Sequence, residues 1–252
     1  MTRADQYQLV RLRFGERRGL RRAAAVDAIE GLCAELWRAG QVRQGWTVAG
    51  DDEGWFVVLT LTRPGALAGR HRSEWAEREW CATAARFGRE PVPELLGHVV
   101  GPRRVRLADC RRLVLWANFT DADHPVRCFD TGRNVPLLDL PVDATLRRDL
   151  LGWASSFRAV DELWFGSDVL ERASYTQLAQ PASRLSRIAS ELADALAQAV
   201  ERPVYRYLVH YDAGDVVAAR ERCPVCARRW LRRPHGGWNF VRRCDACRLV
   251  AH

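Results

Sequence analysis

Four of the eight cysteines in this chain come as two pairs, Cys223-Pro224-Val225-Cys226 and, after seventeen intervening residues, Cys244-Asp245-Ala246-Cys247. Each CxxC turn offers two thiolates on a tight knuckle. A hairpin between the knuckles brings four sulfurs around one tetrahedral divalent ion, for which a single Zn2+ is the expected occupant. Four protein sulfurs leave no position open for water or substrate. The metal is therefore expected to be structural and to contribute to folding rather than to chemistry. A redox dithiol of the thioredoxin kind is a single CxxC that follows a strand and opens a helix, and two pairs with little helical pattern around them do not fit it. A knuckle favours glycine just after its second cysteine, where the backbone turns left-handed. This chain has Ala227 there, at a cost of about 1 kcal/mol.

The residues between the pairs suggest what the finger could touch. Arg228, Arg229, Arg232, Arg233, Arg242 and Arg243 surround Trp230, Trp238 and Phe240, with Gly236 and Gly237 at the expected hairpin tip. Arginines near a phosphate backbone release counterions, and an exposed indole is a platform for an unpaired base. The six arginines and Trp238 are thus the candidate nucleic-acid-binding set, for RNA or DNA. Trp230 and Phe240 are expected instead to cover the metal as a miniature core, since a module this small has little else to bury. The rival reading makes the hairpin a docking element for a protein partner in an adaptor or interaction module. A third would place an enzyme site in the larger region, in a pocket built from Trp116, His124, Arg158 and Asp161. No residue is assigned a catalytic role. His71, His98, His124 and His210 have no mutual metal-ligand spacing, no GxSxG motif occurs, and Asp121, Asp123 and Asp130 lack the glycine and glutamate spacing of a calcium loop.

Composition bounds these readings. The 252 residues are 48% apolar and 28% charged, as in a globular protein with a real core. All 39 basic residues are arginine, which excludes a lysine Schiff base and a Walker-type phosphate site. The net charge of +8 is concentrated at the two ends, residues 1–22 and 221–252. No stretch of eighteen apolar residues occurs, so no membrane span and a cytoplasmic location are expected. The four remaining cysteines, Cys33, Cys81, Cys110 and Cys128, stand singly among apolar neighbours and are expected to be buried thiols.

The elements that position these residues follow from periodicity. Val10, Leu12 and Phe14 alternate with Arg11 and Arg13 as in a half-buried strand, and Val26, Ile29, Cys33, Leu36 and Trp37 recur at helical spacing before Gly40. A hairpin turning at Gly50 to Gly54, a helix capped by Ser73 and a strand from Leu95 to Val100 complete the order strand, helix, strand, strand, helix, strand. That is the split βαβ pattern of a ferredoxin-like region over residues 1–101. Residues 102–212 are expected to form an α+β region with a strand at 113–119, two long helices, one capped by Asp143 and one running from about Ser183 to Glu201, and a strand over 204–211. Residues 213–252 are expected to form the zinc ribbon. The fold class is α+β.

The run Trp153 to Trp164, Glu171, Gln177-Leu178, Pro181 to Leu185, Glu201 to Tyr205, and then CPVC, Trp230, Phe240 and CDACRLV resembles a bacterial family of unknown function. That family is catalogued as zinc-ribbon-containing and possibly nucleic-acid-binding. The resemblance covers residues 140–252 best and implies the same zinc ligands, Cys223, Cys226, Cys244 and Cys247, and the same class of partner.

Overall fold

In the computed structural model of the chain the described residues are 6–15, 19–121, 124–209, 221–231, 240 and 242–251. They divide into two compact units, Met1–Arg103 and Arg104–His252.

In the first unit the alternating strand β1 (Gln6–Gly15) is central because it is apolar on one face and can be covered there. Helices α1 (Arg22–Arg38) and α2 (Glu74–Phe87) supply that cover. Ser73 caps α2 by accepting a bond from the Ala76 amide at 3.2 Å, and Gly88 ends it in the left-handed region at φ 71°. With β2 (Thr47–Asp51), β3 (Gly54–Thr60) and β4 (Val92–Val100) the sheet order is β2-β3-β1-β4, each neighbouring pair antiparallel. This is the ferredoxin-like arrangement expected from the element order. Val10, Leu12, Phe14, Ile29, Leu32, Leu36, Val57 and Leu59 form the core, with Phe14 and Phe87 in ring contact at 5.2 Å. On the other face Arg11 and Arg13 lie over the Phe56 ring, and Arg13 pairs with Asp51 at 3.0 Å.

The second unit is built on a mixed five-stranded sheet. Its strands are β5 (Leu113–Leu115), β6 (Val126–Cys128), β7 (Val204–Tyr207), β8 (Arg242–Cys244) and β9 (Leu249–Ala251), in the order β6-β5-β7-β9-β8. β7 runs parallel to both β5 and β9, and the outer pairs are antiparallel. All four residues of β7 are buried, as befits a strand covered on both faces. Between β6 and β7 lie α3 (Ala144–Gly166), α4 (Glu171–Ala179) and α5 (Arg184–Val200). Asp143 and Ser183 cap α3 and α5 through the Leu146 and Ser186 amides. A chain of aromatic rings ties helix to sheet: Trp153 to Phe157 at 5.5 Å, Phe157 to Tyr207 at 6.2 Å, and Tyr207 to Phe240 at 5.4 Å. The strand expected over 113–119 stops at Leu115, and the polar loop after it contributes the short strand β6. The expected strand at 204–211 is described as β7 and Leu208–Val209, its last two residues lying outside the described set.

Candidate metal centre

Pairing of β9 with β7 places the second cysteine pair at the edge of the main sheet. The Arg206 amide donates to the Arg248 carbonyl and the Leu208 amide to the Val250 carbonyl, both at 2.9 Å. The two knuckles share a left-handed residue and differ in how its amide is bonded, since the Arg248 amide donates to the Asp245 carbonyl at 3.3 Å. At the first, the Cys223 amide donates to the Arg228 carbonyl at 2.8 Å, and the Ala227 amide to the Cys223 carbonyl at 2.9 Å. At the second, Cys244 is the strand partner of Leu249. The residue after each second cysteine is left-handed, Ala227 at φ 57° and Arg248 at φ 47°. Ala227→Gly is therefore expected to stabilise the unit by about 1 kcal/mol without altering metal content, measured by denaturant unfolding of the metal-loaded protein. An unchanged or lower midpoint would contradict this.

The four Sγ atoms lie within 4.8 Å of one another, and those of Cys226 and Cys244 are 3.6 Å apart. Tetrahedral thiolates with metal bonds of about 2.3 Å stand roughly 3.8 Å apart, so the cluster fits a single thiophilic ion. Cys223 and Cys244 are buried, and Cys226 and Cys247 half-buried. Leu208, Trp230, Leu249 and Ala251 pack around them in an apolar jacket. The Arg228 amide holds the Cys226 thiol down at about 7, whereas burial drives that of Cys247 up. Four sulfurs this close become anionic together only around a cation, which is what the donor set is suited to hold. The buried Arg206 guanidinium lies in the field of Cys247 and Cys223, and partly offsets the negative charge four thiolates would bring. Asp245, within the second knuckle, accepts from the Tyr205 hydroxyl at 2.7 Å and pairs with Arg243 at 2.8 Å.

The proposed nucleic-acid-binding residues fall into three groups. Arg228 and Arg229 are exposed on the first knuckle. Arg242 is buried at 6% exposure, and Arg243 is only 16% exposed at its side chain and is engaged with Asp245. Arg232, Arg233 and Trp238 lie outside the described residues, as do Asp123, His210 and His235. The described ends of the expected hairpin, Leu231 and Arg243, exchange both backbone bonds at 2.9 and 3.1 Å. Trp230 covers the sulfurs as expected. Phe240 does not: it stacks on Tyr207 in the main core, because the sheet runs on into the cysteine segment.

Of the residues considered for an enzyme pocket, Arg158 and Asp161 of α3 bond to the loop that follows β5. The Asp161 carboxylate accepts from the Phe119 amide at 2.9 Å, and burial raises its pKa. Arg158 donates through Nε to the Asp121 carbonyl at 2.6 Å, and Arg127 pairs with the Asp121 carboxylate while lying 4.4 Å from the Trp116 ring centre. His124 is buried and accepts at Nδ1 from the Leu137 amide at 3.3 Å. The Asp161 and Arg158 bonds anchor the backbone at Phe119 and Asp121 to α3. Asp121 and Asp130 each pair with an arginine, Arg127 and Arg112, so they do not assemble a cation site. His71 lies against Arg63 and Arg70 in the first unit.

A family described as a domain of unknown function (DUF2310) matches residues 108–209, a span that ends before the four cysteines. Two proteins of Haemophilus influenzae, both described as uncharacterized, are 27% identical to this chain over 141 residues, 55% of its length. The matched region covers 70% of the first and 54% of the second, so the chain spans about half the length of the latter. No solved structure matches. The chain is thus similar to a bacterial family of unknown function. Among the described residues no helix is long and apolar enough to cross a membrane.

Proposed function

We propose that this protein is a non-catalytic, cytoplasmic nucleic-acid-binding protein in which one structural zinc ion, held by Cys223, Cys226, Cys244 and Cys247, fixes an arginine-bearing finger against the second sheet. The observation that carries this reading is the juxtaposition of a closed set of four sulfurs with exposed Arg222, Arg228 and Arg229 on the first knuckle. A four-sulfur shell leaves no position for a substrate, so the surface beside it is the place to look for function. Phosphate contact through arginine is electrostatic and carries little sequence preference. Arg228 and Arg229, exposed on the first knuckle, would make it together with Arg232, Arg233 and Trp238, which lie outside the described residues. Arg242 and Arg243 act from within the fold, and their neutralisation is expected to loosen the finger rather than remove a surface contact.

The test is fluorescence anisotropy of a labelled single-stranded oligonucleotide across a salt series. Affinity is expected to fall steeply with salt, and the Arg228→Gln/Arg229→Gln double variant to reduce the magnitude of the log-log slope by about 1.4, about 0.7 for each lost phosphate contact on a single strand. Absent or salt-insensitive binding would remove the reading. Capture of a defined protein that survives nuclease treatment would favour the adaptor reading instead.

A further inference from the structure

Strand β7 sorts its side chains by face. Tyr205 and Tyr207 meet Phe129 and Phe157 in the main core, at 4.7 and 6.2 Å between ring centres. Arg206 lies on the opposite face, and two neighbours show what is there. Its register partner on β9 is Leu249, and the Arg206 and Leu208 amides donate in the same direction, to the Arg248 and Val250 carbonyls. Paired residues, and residues two apart along a strand, share one face of a sheet. Leu249 and Leu208 both belong to the group packed around Cys223 and Cys244, so Arg206 stands on the sulfur side.

The Arg206 residue is 8% exposed, and a guanidinium keeps its charge when buried. A cation taken out of water needs a fixed counter-charge. Among the described residues no carboxylate lies within ion-pair distance of it. Asp194 adds to the field at Arg206, but its side chain is 67% exposed and lies 3.9 Å from Arg248. The other charges that reach Arg206 are those of Cys247 and Cys223.

We propose that the buried charge of Arg206 makes closure of the β7–β9 edge depend on metal, stabilising the edge when the ion is bound and opposing it when the ion is lost, a role that rests on the four-sulfur centre proposed above. Around a divalent ion four thiolates sum to −2, and a guanidinium on the same face within an apolar jacket is then attracted to them. Without the ion, four sulfurs within 4.8 Å of one another do not all carry charge, because like charges that close repel. The same closed edge then encloses a cation whose opposing charge has gone. Two register positions join β9 to β7, too few to hold that charge out of water by backbone bonds alone. An apolar side chain at this position would let the edge close with or without metal. Exposed Arg228 and Arg229 sit on the knuckle that the ion ties to this edge, so their presentation follows metal supply.

The test compares the full-length parent with Arg206→Met and Arg206→Lys, each loaded with Zn2+ and each stripped by a strong chelator. Hydrogen exchange is read at the Leu208 amide, which donates across the edge to Val250. When stripped, Arg206→Met is expected to exchange there about tenfold more slowly than the parent, because its edge closes over no charge. When loaded, it is expected to lose zinc to a competing chelator about tenfold faster, because the thiolates have lost their counter-ion. Arg206→Lys keeps a cation and is expected to stay closer to the parent than to Arg206→Met in both states. A loss of packing alone would speed exchange and metal loss together, so the opposite signs distinguish the charge from the side chain's bulk. Arg206 loses this role if stripped Arg206→Met exchanges as fast as the stripped parent, or if loaded Arg206→Met keeps its zinc as long as the loaded parent. Either result leaves the four-sulfur centre in place, whereas a parent that takes up no metal removes the centre and the role of Arg206 with it.

Discussion

Replacing Cys244 with serine is expected to strip the metal from the protein and release the outer edge of the second sheet. β8 and β9 are three residues each, and β9 is joined to β7 at two register positions, Arg206 to Leu249 and Tyr207 to Val250. Strands this short do not persist on their own hydrogen bonds. A structural zinc supplies an apparent binding free energy on the order of 10–16 kcal/mol in small peptides, comparable with the roughly 5–15 kcal/mol that holds a whole domain. Even a loss of about 4 kcal/mol lowers the unfolding midpoint of a unit this size by about 10 °C. Elemental analysis is expected to show no bound metal, and hydrogen exchange to accelerate at the Arg206 and Leu208 amides, which donate across to the Arg248 and Val250 carbonyls. A strong chelator should reproduce both effects in the parent protein. Acid should as well, because each sulfur must lose its proton to bind and affinity falls as thiols reprotonate. A serine variant that kept its metal and its midpoint would show that the four sulfurs do not share an ion.

Much of this architecture is written in local pattern. Strand alternation at Val10, Leu12 and Phe14, the caps Ser73, Asp143 and Ser183, and the CxxC spacing each state a local preference, and the fold honours all of them. The left-handed turn at Ala227 was likewise legible from the position alone. What was not legible depends on partners distant in sequence. No spacing rule tells that β9 will lie parallel to β7 and so carry the cysteine segment into the main sheet. That pairing decides where Phe240 goes and why Arg242 is buried although its sequence neighbours look like a solvated basic run. Cys33, Cys110 and Cys128 were expected inside and are buried. Cys81 was expected inside and is exposed, since the apolar stripe of α2 that meets the sheet runs through Ala76, Trp80, Thr83 and Phe87. The short strand β6 and helix α4 went unread for a different reason. Neither repeats its pattern long enough to rise above its polar surroundings.

The division of labour between the two aromatics of the cysteine segment leads to a paired expectation. Phe240 is fully buried and stacks on Tyr207, which also meets Phe157 of α3. Truncation by Phe240→Ala removes a ring from a packed interior and leaves a cavity that α3 and β7 close only in part, at a cost of about 3–5 kcal/mol. Metal content should stay at that of the parent, because the group packed around the sulfurs is Leu208, Trp230, Leu249 and Ala251 and does not include Phe240. Trp230, 6% exposed, instead sits among Cys223, Cys244, Leu249 and Ala251, with Cys226 and Cys247 packed against the same group. Trp230→Ala opens the jacket around the thiolates to water and removes apolar surface that keeps the knuckles together. Its expected signature is faster metal loss to a competing chelator, with a smaller fall in the unfolding midpoint of the metal-saturated protein than Phe240→Ala produces. Chelator-competition kinetics and thermal unfolding, run on both variants under metal saturation, separate the two roles. If Phe240→Ala released metal as fast as Trp230→Ala, the aromatics would belong to one undivided core, and the sheet pairing that sends Phe240 to Tyr207 would be wrong.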